Sequence, residues 1–241
     1  MRIATANLRH GGRTSPDNAW QRLLTQASVD VLCAQESRAP LEYFDGTLHG
    51  SAVFNAVSDR DWGSAIWSRH HPLEEFCLGA FHGHIIGARA KDVRLGGQSW
   101  TVDFVSVHIP EPAPYVRQVA RLIDLLAGRP RDALLLLAGD FNITTALRHP
   151  TEVLETSADE QTVLTRLRRE LGVVNAWQLL HPNHPLPQTL RWTKSPTTPY
   201  HCDAIYVDCR ALPYLDAAEV LQDSAWSHLT DHNPIVVDLR D

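Results

Sequence analysis

Apolar runs of strand length recur along the chain and are separated by more polar stretches. Each run is rich in Val, Ile, Leu and Ala, the composition typical of buried strands. Seven such runs stand out: 2–7, 29–36, 64–68, 102–108, 133–140, 203–208 and 234–239. The run at 133–140 is almost uniformly apolar, which is typical of a strand buried on both faces.

Three segments between these runs keep their apolar residues at helical spacing. The first follows Ser15 and Pro16, which suit an N-cap and the first helical turn. The second begins at Pro114, and the third follows Ser157 and Glu160, which form a capping-box pattern. Strands interspersed with helices favour an α/β (α+β) fold.

The segment 181–201 is rich in proline and is expected to form a long surface loop. No internal repeat, low-complexity tract or interdomain linker divides the sequence. We therefore expect one domain over residues 1–241.

Polar side chains stand at the ends of several of the predicted strands. Four runs end in or just before a polar residue, and two others begin with one or directly follow one. If the two kinds of strand are antiparallel, all of these side chains meet on one rim of the fold. The residues concerned are Asn7, Glu36, His108, Asp140, Asn142, Asp203, Asp231 and His232.

Such a rim has the donors of a site for a hard metal ion. A buried carboxylate is costly unless it is paired or binds a cation. Carboxylate and amide oxygens suit Mg²⁺, Mn²⁺ or Ca²⁺ better than Zn²⁺. Singly, each residue has an ordinary alternative: Asn7 suits a turn, Glu36 a salt bridge, and Gly139 and Asn142 a tight turn chosen for backbone freedom. The prediction of a metal site therefore depends on all of these residues occurring together in this order.

Composition and charge exclude few classes of function. The 241 residues are 44% hydrophobic and 21% charged, and 28 acidic against 22 basic residues give a net charge of −6. This balance argues weakly against a strong non-specific DNA binder and leaves room for an acidic pocket. No run reaches the length of a membrane span, and the N-terminus lacks a signal-peptide pattern. We therefore expect a cytoplasmic protein without a membrane segment, and no protein partner is implied.

The ordered motifs resemble those of the endonuclease/exonuclease/phosphatase superfamily, to which deoxyribonucleases and abasic-site endonucleases belong. They read ATANLRHGG, VLCAQESR, GSAIWSR, VSVHIP, LLAGDFN, HCDAIYVD and LTDHNPIVVDL, and they span the chain to about residue 239. The resemblance implies a four-layer αββα sandwich of two packed mixed sheets flanked by helices. It also implies hydrolysis of a phosphoester by an activated water with Mg²⁺ or Mn²⁺.

The resemblance also implies roles for individual residues. Glu36 would be the main metal ligand, with Asn7 and Asp231 associated with the metal. Asp140 would orient or deprotonate the water, and Asn142 would hold that water or a phosphate oxygen. His232, hydrogen-bonded to Asp203, and His108 would contact the phosphate or the leaving group. The role of general base is assigned jointly to Asp140 and His232.

Further residues near these motifs could bind substrate. Strand alternation would place Arg9 beside Asn7 and Arg38 beside Glu36, where each could bind a phosphate or simply balance the acidic cluster. Trp192 lies between two cations on the proline-rich loop and could stack on a base or pack in the core. His82 and His84 could share one face of a strand, but we expect both to be surface histidines.

The leading hypothesis is a divalent-metal-dependent phosphodiesterase or nuclease acting on DNA or RNA. The alternative within the same fold is a phosphatase or phosphodiesterase for small-molecule, sugar or lipid phosphates. A catalytically silent binding module is a remote third hypothesis, because Glu36, Asp140, Asn142 and His232 are all present.

Overall fold

The computed structural model describes residues 1–10, 19–38, 49–76, 78–112, 114–224 and 226–241. Within them two six-stranded sheets pack face to face. The strands are β1 (Arg2–Asn7), β2 (Val31–Ser37), β3 (Ser51–Ala56), β4 (Gly63–Ser68), β5 (Glu74–Phe76), β6 (Ile85–Leu95), β7 (Gln98–His108), β8 (Leu134–Asp140), β9 (Val173–Asn175), β10 (Asp203–Asp208), β11 (Leu215–Val220) and β12 (Ile235–Leu239). All seven predicted strands are present.

Both sheets are mixed. The first has the order β11-β12-β1-β2-β4-β3, and the second has the order β5-β6-β7-β8-β10-β9. In the first sheet β1 and β2 are parallel, while β12 is antiparallel to β1. In the second sheet β7 and β8 are parallel, while β10 is antiparallel to β8. Each sheet therefore brings two strand ends and one strand start to the same edge.

Most helices cover the outer faces of the two sheets, whereas the short helix that begins at Ala176 packs against the core between the sheets. The helices are α1 (Ala19–Gln21, continued as a π-helical turn over Arg22–Gln26), α2 (Tyr115–Ala127), α3 (Ala158–Arg166, continued as a π-helical turn over Leu167–Leu171), α4 (Ala176–Leu180) and α5 (Trp226–Leu229). The capping box is formed, since the Ser157 side chain accepts from the Glu160 amide and Glu160 bonds back to Ser157. The predicted cap at Ser15 and Pro16 lies outside the described residues.

The leucine-rich strand β8 shows how the layers are filled. Leu134 and Leu136 face the other sheet, whereas Leu135 and Leu137 face α2 and α3. A strand between two apolar layers needs apolar side chains on both faces, which explains the absence of alternation. Full burial of one such side chain is worth about 1.5–3 kcal/mol, so this strand anchors the second sheet firmly. The predicted αββα sandwich is confirmed.

One edge of both sheets carries a buried polar layer between the apolar core and the surface. Gln35 is fully buried, and its amide nitrogen donates to Ser106 Oγ of the opposite sheet at 2.9 Å. The Thr5 hydroxyl donates to Gln35 Oε1 at 3.2 Å. These bonds join the two sheets directly beneath the rim where the polar strand ends meet.

None of the helices in the described segments combines the length and apolar character needed to cross a bilayer.

Candidate active site

Three polar side chains from both sheets meet at the rim. The Asn7 amide nitrogen donates to Glu36 Oε1 at 3.2 Å and to Asp140 Oδ2 at 3.0 Å. Asn7 and Glu36 come from the parallel pair of the first sheet, and Asp140 ends β8 in the second. Because one amide donates to both carboxylates, the side chains of Glu36 and Asp140 are held close together.

The backbone around two of these residues is unusual. Glu36 has φ of 45°, and the pairing of β2 with β4 shifts register between Ala34 and Ser37. Such a bulge turns a side chain out of the regular alternation and often borders functional sites. Gly139 has φ of 156°, and a Cβ there would lie 1.9 Å from the Val107 carbonyl oxygen. Asp140 can therefore stand beside the end of β7 only because glycine precedes it.

His232 is held in a second group of contacts next to Asp140. Its Nδ1 lies 2.9 Å from Asp203 Oδ2, and its Nε2 lies 3.8 Å from Asp140 Oδ2. Asp203 and Asp140 are directly opposite each other in the antiparallel pairing of β10 and β8. The backbone of His232 is tied through the Thr230 hydroxyl, which also donates to the Asn7 carbonyl at 2.7 Å.

The electrostatics of this group follow from its burial. Burial alone would lower the pKa of His232, but the charges of Asp203, Asp140 and Asp231 and the hydrogen bond to Asp203 raise it to about 10. His232 is therefore a cation at neutral pH. Burial and the charge of Asp203 raise the pKa of Asp140, while His232 and His108 oppose that shift. A raised pKa makes a carboxylate a better proton acceptor near neutral pH.

The raised pKa of His232 predicts that the metal-free protein loses stability at alkaline pH. A group whose pKa rises from 6.5 to about 10 on folding stabilises the fold fully below pH 6.5, and this contribution is lost as the pH rises through about 10. The urea midpoint should therefore fall across this window. The variant His232→Gln should lack this part of the decline, and equal slopes for both proteins would contradict the assignment.

Asn142 and Asp231 lie at the margin of the group. Asn142 has φ of 50°, its amide nitrogen donates to the Ile109 carbonyl at 2.8 Å, and its backbone N–H donates to Asp140 Oδ1 at 3.0 Å. Both readings of the Gly-Asp-Phe-Asn motif, a tight turn and a site, are therefore compatible with the geometry. Asp231 Oδ2 lies 3.5 Å from Arg9 Nη1.

The prediction that strand alternation positions the two arginines is wrong. β1 ends at Asn7 and β2 ends at Ser37, so strand alternation does not extend to Arg9 or Arg38. Arg9 has φ of 46° and approaches Asp231 through a turn. Arg38 pairs with Asp61 at 2.9 Å on an exposed surface.

His84 corrects a second expectation. His82 is exposed, but His84 is half-buried, and both lie in the turn before β6 rather than on a strand. His84 Nδ1 lies 3.2 Å from His108 Nδ1, and His108 Nε2 lies 3.3 Å from Glu36 Oε1. Burial lowers the pKa of His84 and lowers that of His108 to about 4, so both rings are neutral at neutral pH. Sequence spacing gave no sign that this turn reaches the site.

Further contacts were also not predicted from sequence. Trp62 precedes β4, and its ring centroid lies 4.7 Å from that of His10 and 6.2 Å from that of His108. His10 Nδ1 lies 3.3 Å from Glu36 Oε2. Arg191 donates to the Thr230 carbonyl at 2.6 Å, and this hydrogen bond stabilises the segment that carries His232.

Trp192 is 42% exposed, so it is not a core residue. Its ring makes an edge contact with Tyr200 at 6.0 Å between centroids, and Lys194 Nζ lies 5.5 Å from the ring centroid. The exposed ring and its neighbouring cation leave a surface on which a planar group could stack.

Two groups of side chains could be considered for a metal. Cys202, Asp203 and His232 have ligand atoms within 4.8 Å of one another. His232 Nδ1 is already bonded to Asp203, and a cationic imidazole has no free lone pair for a metal. The oxygen donors of Glu36 and Asn7 fit a hard divalent ion better.

The fold and this rim of carboxylates, amide and histidines define the class of two-sheet phosphoester hydrolases. The sequence matches the Endonuclease/Exonuclease/phosphatase family over residues 4–210, and the chain belongs to that family. Enzymes of this family generally depend on a divalent metal. A comparison with curated protein sequences found no match.

Solved structures share the fold over nearly the whole chain. An AP endonuclease from Archaeoglobus fulgidus has a TM-score of 0.73 at 18% identity and covers 99% of both chains. The 3′ phosphatase NExo from Neisseria, bound to a product DNA hairpin, has a TM-score of 0.77 at 20% identity and covers 100% of both. The catalytic domain of Xenopus laevis APE2 has a TM-score of 0.76 at 15% identity, covering 100% of this chain and 92% of that one.

Proposed function

We propose that this chain is a divalent-metal-dependent phosphodiesterase or nuclease acting on DNA or RNA, with the whole chain as one catalytic domain. The observation that carries the proposal is the buried contact between Asp140 and a cationic His232. His232 Nε2 and Asp140 Oδ2 are 3.8 Å apart, and in this proposal they would supply a positive charge and a proton acceptor. Phosphoester hydrolysis by water needs both functions.

Glu36 and Asn7 would hold Mg²⁺ or Mn²⁺, with Asp231 nearby. Their oxygens are of the kind these ions prefer, and the side chain of Glu36 is 17% exposed, so it is accessible from solvent. When bound, the ion would neutralise charge on the phosphate and polarise its oxygens.

The remaining roles follow from hydrogen bonds within the chain. Asp140, with its raised pKa, would orient the attacking water and accept its proton. His232 would donate from Nε2 to the developing charge on the phosphate, because Nδ1 is occupied by Asp203. Asn142 and His108 border the same space and would contact phosphate oxygens or the leaving group.

A nucleic-acid substrate is supported by two features of the surface and by the relatives. Trp192 offers an exposed ring beside Lys194, which suits base stacking. Arg9 stands beside Asp231, from where its guanidinium could reach a phosphate. The similar structures include two enzymes named as AP endonuclease and 3′ phosphatase, the latter with DNA bound.

The alternative, a phosphatase for small phosphoesters, is favoured by the charge distribution. The net charge of −6 is unusual for a protein that binds long nucleic acids. Both arginines proposed for phosphate binding are also paired with carboxylates, which reduces their attraction for a polyanion.

A substrate panel with the purified protein tests the two proposals against each other. It contains plasmid, single-stranded DNA, abasic duplex, 3′-phosphorylated duplex, RNA, a chromogenic phosphodiester and small phosphomonoesters, each with Mg²⁺, Mn²⁺ or chelator. Cleavage of one polynucleotide class that chelator abolishes supports the first proposal. Turnover confined to small phosphoesters supports the second. No cleavage of any substrate by a folded, metal-binding protein would overturn both and favour a silent binding module.

The metal assignment predicts that Glu36→Gln weakens Mg²⁺ or Mn²⁺ binding at least about tenfold, because it removes the charged ligand but keeps its size. Titration calorimetry measures this without any substrate. Glu74→Gln is a suitable control, since Glu74 is exposed on the edge strand β5 and pairs only with Lys91 in the described contacts. Equal affinities for the Glu36 variant and the wild type would refute the assignment.

A further inference from the structure

The two histidine rings described above face each other through the same kind of atom. His84 Nδ1 and His108 Nδ1 are 3.2 Å apart, and the ring centroids are 5.2 Å apart. Two N–H groups would clash at this distance, and two bare nitrogens would repel each other. One ring must therefore donate and the other must accept.

The other nitrogen of His108 decides which ring donates. His108 Nε2 lies 3.3 Å from a carboxylate oxygen of Glu36, where a bare lone pair would be repelled. Nε2 therefore carries the hydrogen in a neutral ring, and Nδ1 of His108 is left as an acceptor. The hydrogen in the contact between the rings then belongs to His84.

The backbone holds His84 in this position. Its carbonyl accepts from Ser64 Oγ at 2.7 Å and from the His108 N–H at 3.0 Å. The preceding Gly83 has φ of 71°, and a Cβ there would lie 2.3 Å from the Ala56 carbonyl oxygen. The turn is therefore packed too closely against β3 to shift, and its bonds join β4, the turn and β7.

Trp62 closes the remaining side of the pair. Its ring centroid lies 5.9 Å from that of His84 and 6.2 Å from that of His108. Both imidazoles therefore pack against the same indole ring as well as against each other.

We propose that His84 is a positioning residue that donates its Nδ1–H to His108 Nδ1 and so keeps a hydrogen on His108 Nε2, the atom that lies against Glu36 Oε1. His108 then serves as a hydrogen-bond donor from Nε2 and not as a base at that atom. This inference deepens the proposed function, and its role in turnover rests on that function.

Two variants separate a donor that is kept from a donor that is lost. In His84→Asn the amide nitrogen can occupy the place of Nδ1 and still donate. In His84→Leu no polar atom faces Nδ1 of His108, so only Glu36 favours the hydrogen on Nε2 and the fraction of His108 with hydrogen on Nδ1 should rise. His82→Asn, at the exposed histidine of the same turn, is the matched control.

The first measurement is nitrogen-15 NMR of the histidine rings in the metal-free protein, which distinguishes bare from protonated nitrogens without any turnover. We expect His108 to have a bare Nδ1 and a protonated Nε2 in the wild type and in His84→Asn. In His84→Leu we expect the Nδ1 signal of His108 to shift toward that of a protonated nitrogen, because the two tautomers then exchange. A protonated Nδ1 on His108 in the wild type overturns the proposal, whether or not the variants fold.

The second measurement is kcat and KM on whichever substrate the panel identifies. Loss of an outer hydrogen-bond partner typically costs about 10–100-fold, so His84→Leu should lose this much in kcat with little change in KM, while His84→Asn should recover most of it. Equal kcat for the two variants overturns the positioning role. The expected NMR pattern without hydrolysis of any substrate would instead count against the proposed function alone.

Discussion

Asp140→Asn is expected to lower kcat by about 10²–10⁴-fold, the usual contribution of a proton acceptor. The carboxylate lies beside His232 Nε2 and receives hydrogen bonds from Asn7 and Asn142. An amide of the same size keeps the packing but cannot accept a proton from water. KM should change much less than kcat, since the change affects the chemical step.

The same substitution should leave the fold nearly as stable as the wild type. Burial disfavours the charged form of Asp140, as its raised pKa shows, so removing the charge relieves a cost. The amide forfeits part of the hydrogen bonding to Asn7, which offsets the gain. Thermal unfolding in chelator should therefore show a small shift in Tm.

Asp103→Asn is the matched control for a buried carboxylate outside the rim. Asp103 is equally buried but is paired with Arg89 at 2.7 Å and Arg129 at 3.1 Å. Removing its charge leaves the half-buried Arg129 without its carboxylate and Arg89 with only the exposed Asp132, so Tm should fall clearly while kcat per folded molecule is retained. Activity loss of similar size in both variants would argue that Asp140 acts only through stability.

The sequence predicts the layers of this fold well because burial leaves a direct pattern. β8 is apolar on both faces since it lies between a sheet and helices, and α3 begins where its capping box predicts. The meeting of polar strand ends could also be predicted. It follows from strand direction alone, as the antiparallel pairs β1–β12 and β8–β10 show.

Contacts that depend on loops could not be predicted in this way. The turn before β6 brings His84 to His108 through close packing at Gly83, which no periodicity encodes. Arg9 lies in a turn and has positive φ, and this turn, not strand alternation, brings its side chain to Asp231. Metal binding and the roles of the rim residues stay predictions, which the experiments above address.

The pair of Asp203 and His232 should behave as one functional unit. Each of Asp203→Asn and His232→Gln is expected to lower kcat by about 10²–10⁴-fold, and the double variant should be scarcely worse than His232→Gln. The reason is that Asp203 acts through the imidazole, with Nδ1 to Oδ2 at 2.9 Å. If the loss of kcat in the double variant equals the product of the two single losses, the residues act independently and the prediction is wrong.

The pH dependence of Asp203→Asn separates charge from simple orientation. Burial lowers the pKa of His232, and the charge of Asp203 leads the contributions that raise it to about 10. With Asn at this position burial gains weight against the remaining charges of Asp140 and Asp231, so the pKa of His232 falls and a smaller fraction of the ring is charged at neutral pH. Relative to wild type, kcat of the variant should therefore recover as the pH is lowered, because acid restores the imidazolium. A ratio of the two kcat values that does not change with pH would mean that Asp203 only orients the ring, and the fixed positive charge would then have no part in the mechanism.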